Sequence, residues 1–337
     1  MGGAPSLITA EERARFDACC DHLRLTAAGP NEGLFGPRST IWRALREVAV
    51  PLVGMRAVIL QLAHPALAAA GRAYSNAQAD LLGRTRRTFA WVYGLIYGDL
   101  DTALGASRRL HQIHGHIHGV IPAEISARHA GRHYRALDPE LLFWVLATMI
   151  DSTPLAYQLF LQPMGEIERE LFYREMKRVG VALGIPILWM PATWSDFERY
   201  FASMIEGTEL EASAGAQELL GWLVKEPLMH HTGVDAIAAG ILPPRWRREF
   251  GLSWSMVDRL RFEAMVRSMR MALQLLPPAL RYVPAYHHAM LRAQRSGEVQ
   301  ATPGAWAVAQ LDRIVDLPFS LPRAPRLVDR HSATPTA

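Results

Sequence analysis

An all-α fold, a single helical domain of about ten helices, is what this chain of 337 residues predicts. Two observations carry it. From about residue 40 to about residue 295 the apolar residues recur at helical spacing, with no convincing alternating stretch. Helix start and stop signals punctuate that run, and half the residues are apolar while a fifth are charged, a composition that suits one large buried core.

Residues 1–35 read as a polar lead-in with one short helix, 36–295 as the helical domain, and 296–337 as a Pro- and Arg-rich extension that packs loosely. The most apolar run, "VAVPLVGMRAVILQLAHPALAAAG", is interrupted by Pro51, Arg56 and the His64–Pro65 pair. It is too broken for a membrane span and reads as core helices. "LLGRTRRTFAWVYGLIYGD" predicts a helix over 81–99, and the segment from Asp101 to Val120 predicts another. "DPELLFWVLATM" places Asp138 as an N-cap and Pro139 in the first turn. "SDFE", Ser195 to Glu198, fits a capping box, and a long helix runs from Ser253 to a stop at Pro277–Pro278. "GLFGPRS" and "HTGVDAIAAGILPP" read as connections.

Charge and cysteine content exclude several classes. The net charge is only +4, and the arginines are spread among acids rather than gathered in the basic stripe of a nucleic-acid protein. Lys177 and Lys225 are the only lysines. Cys19 and Cys20 are adjacent, which suits neither a disulfide framework nor a zinc site. The N-terminal residues lack the charged-then-apolar order of a signal peptide. A reducing cytoplasm is the expected compartment, with peripheral membrane contact left open and the oligomeric state unset.

The stretch "RRLHQIHGHIHG" holds four histidines. On one helix at about 100° per residue, Ala103, Ala106, Leu110, Ile113 and Ile117 define an apolar face. His111, His114 and His118 share a neighbouring stripe, with His114 nearest the apolar centre, while His116 points to solvent. A core-edge imidazole bonded to a carbonyl is one reading. A metal ligand is the other. The paired Glu-x-x-His signature of a helical di-iron site is absent. A haem iron asks for a single axial histidine. On the preceding helix Arg84, Thr88, Trp91 and Leu95 share one stripe, with Arg87 at its edge and Arg86 on the far side. A guanidinium on an apolar face calls for an anion, a buried carboxylate or one brought by a ligand; the alternative is an arginine that snorkels along Trp91. His64, just before Pro65, either satisfies a helix junction or lines a pocket with Gln61.

These pieces together resemble the catalytic-domain family shared by the latex clearing protein, a rubber oxygenase, and the MpaB oxygenase. The resemblance covers roughly residues 35 to 290 and rests on "QLAHPALAAAG", "RTRRT", "YGD", "RRLHQIHGHIHG", "YRALDPELLFWVLATMIDS", "ALGIP" and "LPPALRYVP", in that order. It implies an all-helical protein with a globin-like haem b core. His114 is then the axial iron ligand, and Arg84 and Thr88 match the family's haem-pocket pair. Arg87 falls where the rubber oxygenase carries a lysine able to approach the iron; arginine does not deprotonate to ligate. Leu146 stands where some relatives carry a histidine, and it coordinates nothing.

The function expected is a haem-dependent oxygenase that takes dioxygen and an apolar small molecule, with cleavage of a carbon–carbon double bond as the reaction the resemblance implies. Arg87, Thr88 and His64 are the candidate distal groups. A haem carrier or sensor without turnover, a non-haem metal enzyme built on His111, His114 and His118, and a helical interaction protein are the alternatives.

Overall fold

The computed structural model describes residues 6–74, 80–225, 234–297, 299–300, 302–315 and 317–321. Among them sixteen α-helices follow in order: α1 Ala10–Leu25, α2 Thr40–Leu45, α3 Gly54–Leu62, α4 Pro65–Tyr74, α5 Leu81–Tyr97, α6 Leu100–Gly115, α7 Pro139–Phe160, α8 Glu166–Ala182, α9 Trp194–Glu206, α10 Ala214–Lys225, α11 Val234–Ile241, α12 Pro244–Glu249, α13 Met256–Leu275, α14 Pro278–Arg281, α15 Pro284–Arg295 and α16 Ala305–Val315. Short 3-10 turns occupy Val50–Val53 and Ile187–Trp189. Strands β1, His118–Val120, and β2, His133–Arg135, pair antiparallel with His118 opposite Arg135. The helical class holds, but the helices outnumber the ten expected. Prolines account for much of the difference: Pro65, Pro139, Pro244, Pro278 and Pro284 each open a helix. Proline fits a first turn and cannot prolong the turn before it, so one apolar period is cut into shorter helices.

Three expectations are corrected. The segment from Asp101 to Val120 is not one helix: α6 ends at Gly115, His116 is its C-cap, and His118 begins β1. The capping box of α9 is Thr193 with Asp196, two residues before the expected one. "HTGVDAIAAGILPP" is helical over Val234–Ile241, while 231–233 lie outside the described residues. Asp138 stands at the N-cap position of α7 and Pro139 opens that helix as read, but the Asp138 side chain makes no capping bond to it. Asp80 on α5, Asp99 on α6 and the Ser255–Asp258 capping box on α13 are caps the sequence reading did not single out. The lead-in is more than a tether, because α1 sends Phe16, Cys20 and Leu23 into the main core. Residues beyond 321 lie outside the described ones.

Helix α7 is the axis of the core. It is apolar nearly all round, as a helix buried on all sides must be, and Leu142, Trp144, Leu146, Ile150 and Phe160 are among its buried residues. The apolar run before it folds as the 3-10 turn plus α3, then α4, bent by 104° at Ala63–His64, and no single described helix is long and apolar enough to cross a membrane. Helix α3 lies antiparallel on α7 through polar contacts set in an apolar interface. Arg56, 6% exposed, pairs with Asp151 at 2.5 Å, donates to Ser152 Oγ at 3.0 Å, and donates to the Ile241 carbonyl of α11 at 3.0 Å. One turn on, Trp144 Nε1 donates to the Leu60 carbonyl at 3.1 Å, and Gln61 Nε2 donates to Thr148 Oγ1 at 2.9 Å.

A second clasp closes the chain. Glu47, 2% exposed, accepts two hydrogen bonds from Arg281 at 2.7 and 3.1 Å. Backbone bonds flank it: Val48 N to the Arg281 carbonyl at 3.0 Å, and Val283 N to the Arg46 carbonyl at 2.7 Å. The "LPPALRYVP" motif is thus the counterpart of the segment just after α2.

Removing one member of the Arg56–Asp151 pair strands a buried charge, at a cost of about 3–5 kcal/mol. Arg56→Met and Asp151→Leu should each lower the unfolding free energy from chemical denaturation by about that much. The double variant should lose less than the sum; strict additivity would mean that the two groups do not interact.

Candidate functional site

Helices α5 and α6 form a hairpin. Gly98 turns the chain where a side chain would strike the Gly94 carbonyl, and Asp99 then accepts from Thr102 N at 2.8 Å to start α6. Gly33, at φ +76°, rests against the Gly98 carbonyl, so the turn is packed too closely for any side chain at either glycine. This is the physical content of the "YGD" motif. Trp91 Nε1 donates to the Ala106 carbonyl at 3.1 Å and fixes the register of the two helices. Continued toward the open end, that register carries Thr88 to the level of Arg109 and Arg84 to the level of Ile113, one residue from His114. Arg84, Thr88 and His114, far apart in sequence, therefore gather at one end of the hairpin.

The closed end is buried: Val92, Leu95 and Ile96 on α5, and Ala103, Leu104, Ala106 and Ser107 on α6. The open end is not. Arg84 and Thr88 are exposed, Leu110 and His114 are half-buried, and Ile113, placed inward by its spacing, is 54% exposed. The face read as continuous from Leu95 to Arg84 loses its cover over the first two turns of α5. Yet desolvation, and then Arg87, holds the Arg84 guanidinium below its usual pKa, and desolvation holds the His114 imidazole down to about 4, with His111 adding to it. The surrounding protein therefore desolvates both side chains even where solvent reaches part of them. His114 is accordingly neutral at pH 7. Thr88 Oγ1 donates back to the Arg84 carbonyl at 3.1 Å, and Arg87 pairs with Asp80 at 3.1 Å on the exposed side.

The other candidates lie elsewhere. His111 stacks on Phe16 at 3.9 Å, and neither of its buried ring nitrogens has a hydrogen-bond partner. His118 is in β1, its carbonyl accepting from Tyr74 Oη at 2.7 Å, so His111, His114 and His118 do not form one stripe. Among the described residues there is no cluster of three or more His, Cys, Asp or Glu placed to hold a metal ion. Leu146 is buried against Gly180 of α8. His64 stands at the α3–α4 bend as the junction reading expected: its Nδ1 accepts from Ala66 N at 3.2 Å and its carbonyl accepts from Leu67 N and Ala68 N. Desolvation lowers its pKa to about 4, and the charged or titratable groups that face it are Glu209, His129 and Arg132. Those three residues were not singled out from the sequence. They are widely separated in it, and only the β1–β2 hairpin and the bond from Glu211 N to the Ala63 carbonyl bring them to the bend. No described contact joins His64 to His114.

The fold and this end of the hairpin define a class: an all-helical protein with a desolvated histidine, a desolvated arginine and a partly uncovered apolar face at one end of a helical hairpin. The chain belongs to the family described as ER-bound oxygenase mpaB/B'/Rubber oxygenase, catalytic domain, which matches residues 42–271. It is also similar to two curated proteins, uncharacterized protein Mb2261 of Mycobacterium bovis and uncharacterized protein Rv2237 of Mycobacterium tuberculosis. Each is 26% identical over 153 residues, covering 43% of this chain and 58% of the relative. The chain thus matches little more than half the length of those relatives. No solved structure matches it.

The depressed pKa of His114 has a sign that can be read in solution. The folded state favours the neutral ring, so the contribution to stability is complete above about pH 6.5 and is lost as pH falls toward about 4. In a histidine NMR titration of the protein without added ligands, the His114 resonances should stay those of a neutral ring down to about pH 5. A midpoint near 6.5 would place the ring in open solvent.

Proposed function

We propose that the protein is a haem b-dependent oxygenase acting on an apolar small molecule. The observation that carries the reading is the open end of the α5–α6 hairpin, where the register fixed by Trp91 brings Arg84, Thr88 and His114 to one partly uncovered apolar face. His114 offers a neutral imidazole with no proton to lose on binding a metal. Arg84, at the same level of the hairpin, would bring a guanidinium toward carboxylate groups of the cofactor. Leu110 and Ile113 leave an apolar face that a flat macrocycle would cover. The residues present therefore fit a haem, and membership of an oxygenase family supports oxygenase chemistry. Bound there, haem would supply the iron at which dioxygen is activated.

The chain's own residues take distinct parts in this reading. His114 would hold the iron and Arg84 a haem carboxylate, while the Thr88 hydroxyl donates to the Arg84 carbonyl and tethers the first turns of α5. Arg87 stays protonated and paired with Asp80, so it does not ligate. His64 is the proposed acid–base group. Its Nδ1 accepts from Ala66 N, so the neutral ring carries its proton on Nε2 and presents it away from the bend. Oxidative cleavage of a carbon–carbon double bond is the proposed reaction and an unsaturated hydrocarbon the proposed substrate class.

Purified protein supplied with haem should take up one equivalent and show a Soret band and a b-type pyridine haemochrome. Dioxygen uptake with an unsaturated hydrocarbon should yield carbonyl products. A Soret band without turnover would favour a carrier or sensor, and no Soret band would defeat the proposal.

His114→Ala should abolish haem retention, while His116→Ala at the C-cap should leave it unchanged. Arg84→Ala should weaken retention about tenfold, between the loss for an exposed pair and that for a buried one, and Arg86→Ala less than about twofold. Equal losses in either comparison would remove the ligand or the propionate assignment.

With no lysine at position 87, the resting ferric protein should be high-spin and should bind azide, cyanide or imidazole without displacing a protein ligand. A low-spin spectrum that turns high-spin in His64→Ala would instead make His64 a second axial ligand.

A further inference from the structure

Helix α1 and the segment just ahead of it close on the last turn of α6, the turn that carries His114. Leu7 N donates to the Gly115 carbonyl at 3.0 Å, so a carbonyl that the end of a helix leaves unpaired is met from the N-terminal part of the chain. Ile8 lies so near Gly115 that a Cβ there would stand 2.5 Å from both its Cγ1 and its Cδ1. Gly115 is not at positive φ; the close approach of Ile8 is what calls for glycine. One turn earlier His111 stacks on Phe16, the rings 3.9 Å apart and 10° from parallel. The segment is itself tied down. Arg135 of β2 donates to the Leu7 carbonyl at 2.8 Å and pairs with Glu12 at two points, 2.8 and 2.9 Å. The Arg135 guanidinium, helped by Thr9, holds the Glu12 carboxyl down to about 2, so the pair is charged at neutral pH. Arg135 also stands opposite His118 in the strand ladder, so one residue ties the N-terminal segment to the strand that follows α6.

We propose that Leu7, Ile8 and Phe16 are positioning residues for His114: they clamp the end of α6 and so set where its imidazole stands relative to Arg84 and Thr88. This role rests on the reading of His114 as the iron ligand. The need for a clamp follows from the hairpin. The Trp91–Ala106 bond that fixes its register lies about two turns before His114, and beyond it the apolar face is partly uncovered, with Ile113 54% exposed. His116 N and Ile117 N bond the carbonyls of Ile113 and His114, which holds the last turn to itself but not to the rest of the protein. A helix end with little tertiary cover opens locally. An iron ligand has to be held within about 0.5 Å of its working place, by neighbours that are themselves fixed. Residues 6–25 supply that hold, and they lie ahead of the family match at 42–271, so the clamp does not follow from family membership.

Gly115→Ala places a methyl group where Ile8 stands and should expel the segment. Adding Ile8→Ala removes both atoms in the way and should seat it again. In haem-free protein, amide exchange over Ile113–Ile117 should rise about tenfold in Gly115→Ala and return to the parent rate in the double variant, with the closed end of the hairpin unaffected in both. In protein supplied with haem, the single variant should release it about tenfold faster, as when a supporting partner of a metal ligand is lost, and the double variant should recover. The ferric EPR signal should broaden in the single variant, because the ring is no longer held at one orientation, and sharpen again in the double variant. Glu12→Gln, which loosens the Arg135 anchor without touching α6, should speed exchange over the same residues, and it serves if Gly115→Ala does not fold. Exchange unchanged in Gly115→Ala and in Glu12→Gln, or a change that Ile8→Ala does not repair, overturns the proposal. So does faster exchange with haem release and EPR signal unchanged. If the parent protein takes up no haem, the haem reading fails, and the clamp is upheld or overturned by the exchange rates alone.

Discussion

The pair of Arg56 and Asp151 is the constraint around which this structure is arranged. A guanidinium 6% exposed in an apolar interface is tolerable only with a carboxylate against it and its remaining N–H groups satisfied. Asp151, Ser152 and the Ile241 carbonyl meet that demand, and they come from two elements, α7 and α11. Because hydrogen bonds are directional while apolar contacts are not, this set defines how α3 lies on α7. Burial pushes the Asp151 carboxyl upward while Arg56 pulls it down. The register of α3 in turn fixes the bend at His64 and the course of α4.

From that frame the hairpin of α5 and α6 is held mainly at its closed end. Gly33 packs under the Gly98 turn, Arg292 bonds the Tyr97 carbonyl, and Ser107 Oγ bonds the Ala182 carbonyl. Such anchoring frees the opposite end to remain uncovered without unravelling, since α5 is capped by Asp80 and α6 by its own C-cap bonds. An uncovered apolar face costs stability unless something covers it. That Ile113 sits there beside a desolvated His114 and Arg84 is what gives the open end its functional reading.

The two histidines with pKa values near 4 show how similar sequence signals part in three dimensions. His114 owes its neutrality to desolvation at the end of a hairpin, with His111 adding to it. His64 owes its neutrality to burial at a helix bend, where Glu209 opposes the shift and His129 and Arg132 add to it. His64 stands in an apolar run and His114 in a histidine-rich one, and the groups that face them have no member in common.

Much was legible before any coordinates. Helical period, the Asp138–Pro139 start signal and the stop at Pro277–Pro278 identify many of the elements, because start signals and periods are local consequences of residues a few positions apart. The family was legible from the order of its motifs. What the sequence did not contain was the end of α6. A run of apolar and histidine residues favours helix to Val120, but β1 pairs with β2 thirteen residues further on, and that non-local ladder takes His118 away from His114. Nor did it contain the uncovered face. Arg84, Thr88 and Ile113 lie on inward stripes by periodicity, and periodicity shows only which residues share a side. Whether a neighbour covers that side depends on where other helices end. By itself the sequence determined the helices, their polarity and the family. The tertiary structure alone decided which apolar faces stayed open, as at the mouth of the hairpin, because burial is a property of packed elements and not of any one of them.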